Sequence, residues 1–150
     1  MPAGLHKMQV EASRDEIWKF VSEMDAWAPL VPGYIDHEIL NERESTWKFK
    51  TDLGLMKKKI HLKVDITEWQ EPRKVTFNLT GINERFKGNG YFEAESIGRN
   101  ASNMTGYLEI NAEGPLSKMV TPLLNSILPE LTTELTEAVA YKVEGMYSSK

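Results

Sequence analysis

The chain contains no cysteine. That excludes disulfides, cysteine-ligated zinc and a thiol nucleophile. No stretch approaches the ~20 consecutive apolar residues that a membrane span needs, so stable membrane insertion is not expected. The opening Met1-Pro2-Ala3-Gly4-Leu5-His6-Lys7 lacks an apolar core of signal-peptide length, and the expected location is cytoplasmic. The triplets at Asn78, Asn100 and Asn103 that match a glycosylation acceptor are therefore read as chance. Positive charge is outnumbered: 18 Lys and Arg against 22 Asp and Glu leave a net charge of -4. A nucleic-acid partner needs the opposite field and is not expected. The three histidines, His6, His37 and His61, are too scattered to form a metal site, and no cofactor is implied. Catalytic signatures such as G-x-S-x-G, H-E-x-x-H and the P-loop are missing. Gly88-Asn89-Gly90 lacks the third glycine of a dinucleotide fingerprint and lies within a strand pattern.

What is present fits one domain. The 150 residues are 41% hydrophobic and 27% charged. A chain of this length buries roughly 70% of the surface it exposes when unfolded, enough for an unaided core. Leu5 to Glu11 reads as a strand. Ser13 and Glu16 then form a capping box ahead of Ile17, Trp18, Phe20, Val21 and Met24 at helical spacing. A second short helical turn follows from Asp25 to Leu30, and Pro32-Gly33 breaks it. Six strand patterns come next: Tyr34 to Glu42, Thr46 to Leu53, Met56 to Trp69, a stretch around Val75 to Thr80, Phe86 to Ser96 and Met104 to Ala112. The clearest alternation sets Ile60, Leu62, Val64 and Ile66 on one face and Lys59, His61, Lys63 and Asp65 on the other. Short turns between successive strands predict an antiparallel meander with one wet face.

After Gly114-Pro115 an apolar stripe begins at Leu116 and runs through Met119, Leu123, Leu124, Ile127, Leu128, Leu131, Leu135 and Val139. Pro122 and Pro129 interrupt this helix and predict kinks, each costing ~3 kcal/mol. They suggest a gate, with the segment from Leu116 to Pro129 shifting. The class is α+β: strand, two short helices, six strands, long helix. The C-terminal helix is expected to cover the apolar face of the sheet.

This order of elements resembles the superfamily of START lipid-transfer domains, birch-pollen-type allergens and polyketide cyclases (SRPBCC). It is most similar to the CoxG family of carbon monoxide dehydrogenase subunits. Three stretches carry the likeness. One is Val10-Glu11-Ala12-Ser13-Arg14-Asp15-Glu16-Ile17-Trp18-Lys19-Phe20, followed by Leu30-Val31-Pro32-Gly33. The second is Asp52-Leu53-Gly54-Leu55-Met56 with the strand ending Glu68-Trp69-Gln70-Glu71-Pro72. The third is Gly106-Tyr107-Leu108-Glu109-Ile110 with Gly114 and the final helix. The resemblance implies a helix-grip fold, in which a curved antiparallel seven-stranded sheet wraps a long C-terminal helix. Members of the CoxG family often continue into a hydrophobic tail. This chain stops at Lys150, so membrane anchoring is not carried over.

On the residues alone, an internal cavity and a filled interior are equally open, because helix–sheet packing also uses small residues. Gly88 and Gly90 share one face and would leave space under the helix, or would merely curve the sheet. The resemblance favours a cavity for a lipid-, quinone- or polyketide-like molecule. Its expected lining is His37, Trp47, Phe49, Thr51, Leu62, Val64, Phe77, Leu79, Gly88, Gly90, Phe92, Met104, Leu108, Met119, Leu123 and Ile127. His37 shares parity with Ile35 and Ile39 and should point inward. Lys58 is expected to snorkel at the rim and Arg85 to stay on the surface. Trp27 and Leu30 read as core. Lys48, Lys50, Lys57, Lys59, His61 and Lys63 share the outer face and read as solvated, diluted by Asp52 and Asp65. The expected partner is a hydrophobic small molecule. A cyclase- or dehydratase-type enzyme using His37, and a protein-interaction module of the chaperone-activator kind, stand as alternatives.

Overall fold

A computed structural model describes residues 2–53, 56–83, 85–115 and 117–147. It describes their side chains except at 51–53, 56–58 and 147. The side chains of Thr51, Lys57 and Lys58, with Leu116 and the Gly54-Leu55 turn, thus lie outside what the structure describes. The chain forms β1 (Ala3–Val10), α1 (Arg14–Val21), α2 (Met24–Trp27), a 3-10 turn (Ala28–Leu30) and β2 (Tyr34–Ile39). Then come β3 (Glu44–Leu53), β4 (Met56–Gln70), β5 (Lys74–Gly81), β6 (Phe86–Gly98), β7 (Ala101–Ala112) and α3 (Ser117–Tyr147). The seven strands make one antiparallel sheet in the order β1-β7-β6-β5-β4-β3-β2. This is the helix-grip α+β architecture.

Local chemistry sets the boundaries. Ser13 caps α1 reciprocally: its hydroxyl accepts from the Glu16 amide, and the Glu16 carboxylate accepts from the Ser13 amide. β2 ends at Ile39, before the expected Glu42, because Asn41 Oδ1 accepts from the Arg43 and Glu44 amides and turns the chain. β7 begins at Ala101, earlier than Met104, since only Arg99 and Asn100 separate it from β6.

α3 runs unbroken through Pro122 and Pro129. Both prolines are exposed. The carbonyls they leave without a partner, at Lys118 and Asn125, belong to exposed residues that water can reach. Pro115 lies in the turn before the helix rather than at its first position.

The expectation that α3 covers the whole sheet needs correcting. α3 packs mainly on β1 and β7. Two glycines permit this approach. A Cβ on Gly4 would sit 2.4 Å from the Leu128 carbonyl oxygen, and one on Gly106 would sit 2.0 Å from Thr136 Oγ1. The middle of the sheet is covered instead from α2, by Trp27. Its indole N–H donates to the Val21 carbonyl at 3.0 Å, and its ring lies among Trp47, Phe77 and Phe92.

Candidate functional site

The inner face divides into a closed end and an open end. Register aligns Val64, Leu79, Gly88 and Ile110 in one row across β4 to β7. Phe77, Gly90 and Leu108 form the next row, and Val75, Phe92 and Gly106 the one after. Toward the last of these rows the interior is sealed: Val75, Met104, Val139 and Val143 expose nothing. Toward the first it opens. Ile60, Leu79 and Leu108 belong to the buried core but keep 7–9% of their surface accessible, whereas Val64 beside Leu79 exposes nothing. Phe49, Gly88 and Ile110 are only half-buried.

α3 shows the same gradient. Leu128, Leu135, Val139, Ala140 and Val143 are buried, whereas Val120, Leu123, Leu124 and Ile127 in the preceding turns are half-buried. The first half of the helix is thus less buried than the second. Met119 does not face the sheet. It is 64% exposed, and nine residues before Leu128 place it about 180° round the helix. By the same geometry Ile127 lies about 100° and Leu123 about 140° round from Leu128, so both are half-buried but off the inward stripe. Leu124 is nearer its centre and packs against the core.

Several expected lining residues belong to the packed core. Trp47, Leu62, Val64, Phe77, Phe92 and Met104 are all buried. Trp27 lies 4.9 Å from both Trp47 and Phe92 and 5.6 Å from Phe77, ring centroid to ring centroid. Gly90 does not leave space under the helix. The Phe77 ring occupies it, since a Cβ there would lie 2.8 Å from two ring carbons. A Cβ on Gly88 would meet the Glu109 carbonyl oxygen at 2.2 Å, a close approach of β7 backbone rather than of the helix. Both glycines allow the sheet to bend. Arg85 is exposed, as expected of a surface residue, and Leu30 packs against the core.

His37 is the polar group at this site. Its side chain is 13% exposed, and it makes two short hydrogen bonds: Nδ1 with the Tyr34 hydroxyl at 2.6 Å and Nε2 with Asp25 Oδ1 at 2.6 Å. The backbone explains the trio. A bulge between Tyr34 and Asp36 sets Tyr34 opposite Phe49 and His37 opposite Trp47. Phe49 and Trp47 are two residues apart, so Tyr34 and His37 reach the same inner face although three residues separate them. Gly33 starts this segment at a φ of 82°, with its carbonyl accepting from the Lys50 amide at 2.8 Å. A Cβ at Gly33 would lie 2.1 Å from the Lys50 carbonyl oxygen, so only glycine fits. Ile35 and Ile39, whose parity suggested an inward face, are exposed at the sheet edge. Sequence reasoning missed Asp25, Tyr34, Leu124 and Ile110. Parity with Leu108 could have found Ile110 and helical phase could have found Leu124. The bulge leaves no signal in the sequence.

The outer face is polar. Lys63 pairs with Glu44 at 3.3 Å and Asp65 at 3.7 Å, and Lys50 lies opposite Lys59. Asn78, Thr80, Lys87, Asn89 and Asn111 border a shallow open depression. Tyr91 and Tyr107 stack with centroids 5.3 Å apart, and Lys74 lies over the Tyr91 ring. Among the described residues no group of three or more side chains is placed to hold a metal ion, and no helix is long and apolar enough to cross a membrane.

A family model described as "-like" matches residues 1–144. No curated protein matches the chain in sequence. Among solved structures, a conserved protein from Geobacillus kaustophilus is similar at a TM-score of 0.79, with 12% identity and 95% of both chains covered. A START superfamily protein from Mycobacterium smegmatis matches at 0.73, with 18% identity, covering 96% of this chain and 98% of its own. The Zhui aromatase/cyclase of a Streptomyces species matches at 0.71, with 15% identity, covering 95% of this chain and 93% of its own. Two of these neighbours are thus named as a START superfamily protein and an aromatase/cyclase, and the likeness to all three is one of fold.

Proposed function

We propose that this chain, a member of the family whose model spans residues 1–144 and a protein of START-like fold, binds a hydrophobic small molecule at the open end of its interior. The ligand class is lipid-, quinone- or polyketide-like. The carrying observation is the burial gradient. The inner face is sealed at Val75, Met104 and Val143, less completely covered at Ile60, Leu79 and Leu108, and half-buried at Phe49 and Ile110, and the first half of α3 is less buried than the second. Of the lining expected from the sequence, Phe49, Leu79, Gly88 and Leu108 form the binding end with Ile127 at its margin, joined by Ile60, Ile110 and Leu124. Burying apolar ligand surface there yields ~25 cal/mol per Å2. We further propose, on the likeness of the stretches Val10 to Phe20 and Leu30 to Gly33, that the CoxG family is its nearest kin within the superfamily.

Native mass spectrometry of the freshly purified protein tests this, with Leu79→Trp as the blocked control. The expected result is a hydrophobic adduct on the wild type that the folded variant lacks. A bare mass for both, together with no binding of an apolar fluorophore by the wild type, overturns the reading. A second reading, an enzyme of the cyclase or dehydratase type, is favoured by one observation. The Asp25–His37–Tyr34 chain of hydrogen bonds is the kind of array that moves protons.

A further inference from the structure

With a neutral imidazole, the two hydrogen bonds of His37 set which way its protons point. Asp25, with 68% of its side chain exposed, can as a carboxylate only accept. The proton between Asp25 and His37 therefore sits on Nε2. In a neutral imidazole the other nitrogen is then the acceptor, so the Tyr34 hydroxyl donates to Nδ1. Tyr34 has a single proton, and this bond uses it. Its oxygen keeps lone pairs and has no proton left to offer.

Other buried hydroxyls at the inner face are committed within the protein. Ser45 donates to Met24 Sδ and accepts from the Trp47 indole N–H. Thr132 donates to the Leu128 carbonyl, and Ser102 to the Ala12 carbonyl. Thr136 Oγ1 has no partner among the described residues but lies against Gly106 at the packed face of α3. Tyr34 differs from these. It is half-buried on the inner face, opposite Phe49, and packs against the core beside the open end.

We infer that Tyr34 is the polar anchor of the binding end and presents a hydrogen-bond acceptor, so that the ligand is an apolar body carrying an O–H or N–H donor, such as a phenol or an alcohol. This rests on the ligand-binding reading above. His37 and Asp25 are positioning residues that hold the Tyr34 proton away from the ligand. A carboxylate ligand brings only acceptors to this oxygen and is disfavoured, because two acceptors face each other with no proton between them.

The test has two parts. Heteronuclear NMR of the His37 ring nitrogens, on the protein without ligand, is expected to show the Nε2–H tautomer. An Nδ1–H tautomer, or a ring protonated on both nitrogens, overturns the proposal whatever the fate of the ligand reading. Calorimetric titration with β-naphthol and with its methyl ether at neutral pH then compares a donor with a donor-less probe of the same shape. The wild type is expected to prefer β-naphthol by about threefold to tenfold, the range of one net hydrogen bond. In Tyr34→Phe the ratio of the two affinities is expected to fall to about one. Equal wild-type affinities, or a preference that persists in Tyr34→Phe, overturn the anchor while leaving the cavity reading intact. Failure of both probes to bind the wild type overturns both.

Discussion

The indole of Trp27 meets the ring of Trp47 edge-on, with centroids 4.9 Å apart and planes at 70°. This contact joins the short helix α2 to the middle of the sheet and divides the interior into a sealed part and an accessible part. Trp27 is 1% exposed and its N–H is satisfied. Trp27→Ala should therefore destabilise the fold by about 3–5 kcal/mol, as expected for emptying a large aromatic site. Urea unfolding at equilibrium measures this. A loss below about 1 kcal/mol would mean that the indole is not the keystone of this packing.

Gly106 and Thr136 provide a second, independent check on the packing. The hydroxyl of Thr136 has no partner among the described residues, so Thr136→Ala loses no hydrogen bond. A Cβ on Gly106 would lie 2.0 Å from that hydroxyl. Gly106→Ala alone should be clearly destabilising, and the double variant Gly106→Ala with Thr136→Ala should recover at least ~1 kcal/mol of the loss. Additive effects in thermal or urea melts would show that α3 does not press on β7 at this point.

How much of this was legible in the sequence depends on how local the signal was. The Ser13–Glu16 box and the alternation of Ile60, Leu62, Val64 and Ile66 rest on neighbours in the chain, and both appear in the structure as read. The inward parity of Trp47, Val64 and Phe77 was also readable. What parity cannot show is whether an inward side chain lines a space or is covered by another group. Trp27 arrives from a separate helix, so its cover over Trp47, Phe77 and Phe92 is a long-range fact. Met119 misleads because an apolar residue strengthens a helical stripe without fixing its centre. That centre is set by where α3 touches Gly4 and Gly106. The Tyr34–His37 alignment needs a bulge, which shifts parity by one and leaves no trace in composition.

The two halves of α3 should differ in mobility. The segment 117–129 is half-buried or exposed apart from Leu128, and it contains both prolines. Residues 131–143 hold the buried Leu135, Val139, Ala140 and Val143. Hydrogen exchange should show amides of the first half opening at least tenfold more readily than those between Leu131 and Val139. Equal protection would remove the case for a gate built from this helix.

The phenol of Tyr107 should titrate above the ordinary tyrosine value. Its phenol donates to Glu109 Oε1 at 2.7 Å, and that bond, with desolvation and the negative charge of Glu109, holds its pKa above the ordinary value of 10.0. Because the folded-state value is raised, the linked stability is present below the unfolded pKa and is lost as pH rises through the folded one. Ultraviolet titration, with Tyr107→Phe identifying the phenol, should show the Tyr107 transition shifted toward the ordinary value in Glu109→Gln. No change in that variant would contradict the hydrogen bond.

Leu124 and Met119 stand five residues apart on the same half of α3, yet they should respond oppositely to charge. Leu124 packs toward the core at the open end, whereas Met119 faces solvent. Leu124→Asp places a charge where apolar ligand surface is to be buried, and such a group stays there only at a large desolvation cost. It should weaken binding of an apolar fluorophore at least tenfold. Met119→Asp should leave that binding within about twofold of wild type, since a solvated surface position contributes little. Should Met119→Asp instead weaken binding as strongly as Leu124→Asp, the ligand would lie across the outside of the helix, and the site would have to be moved from beneath α3 to its exposed face.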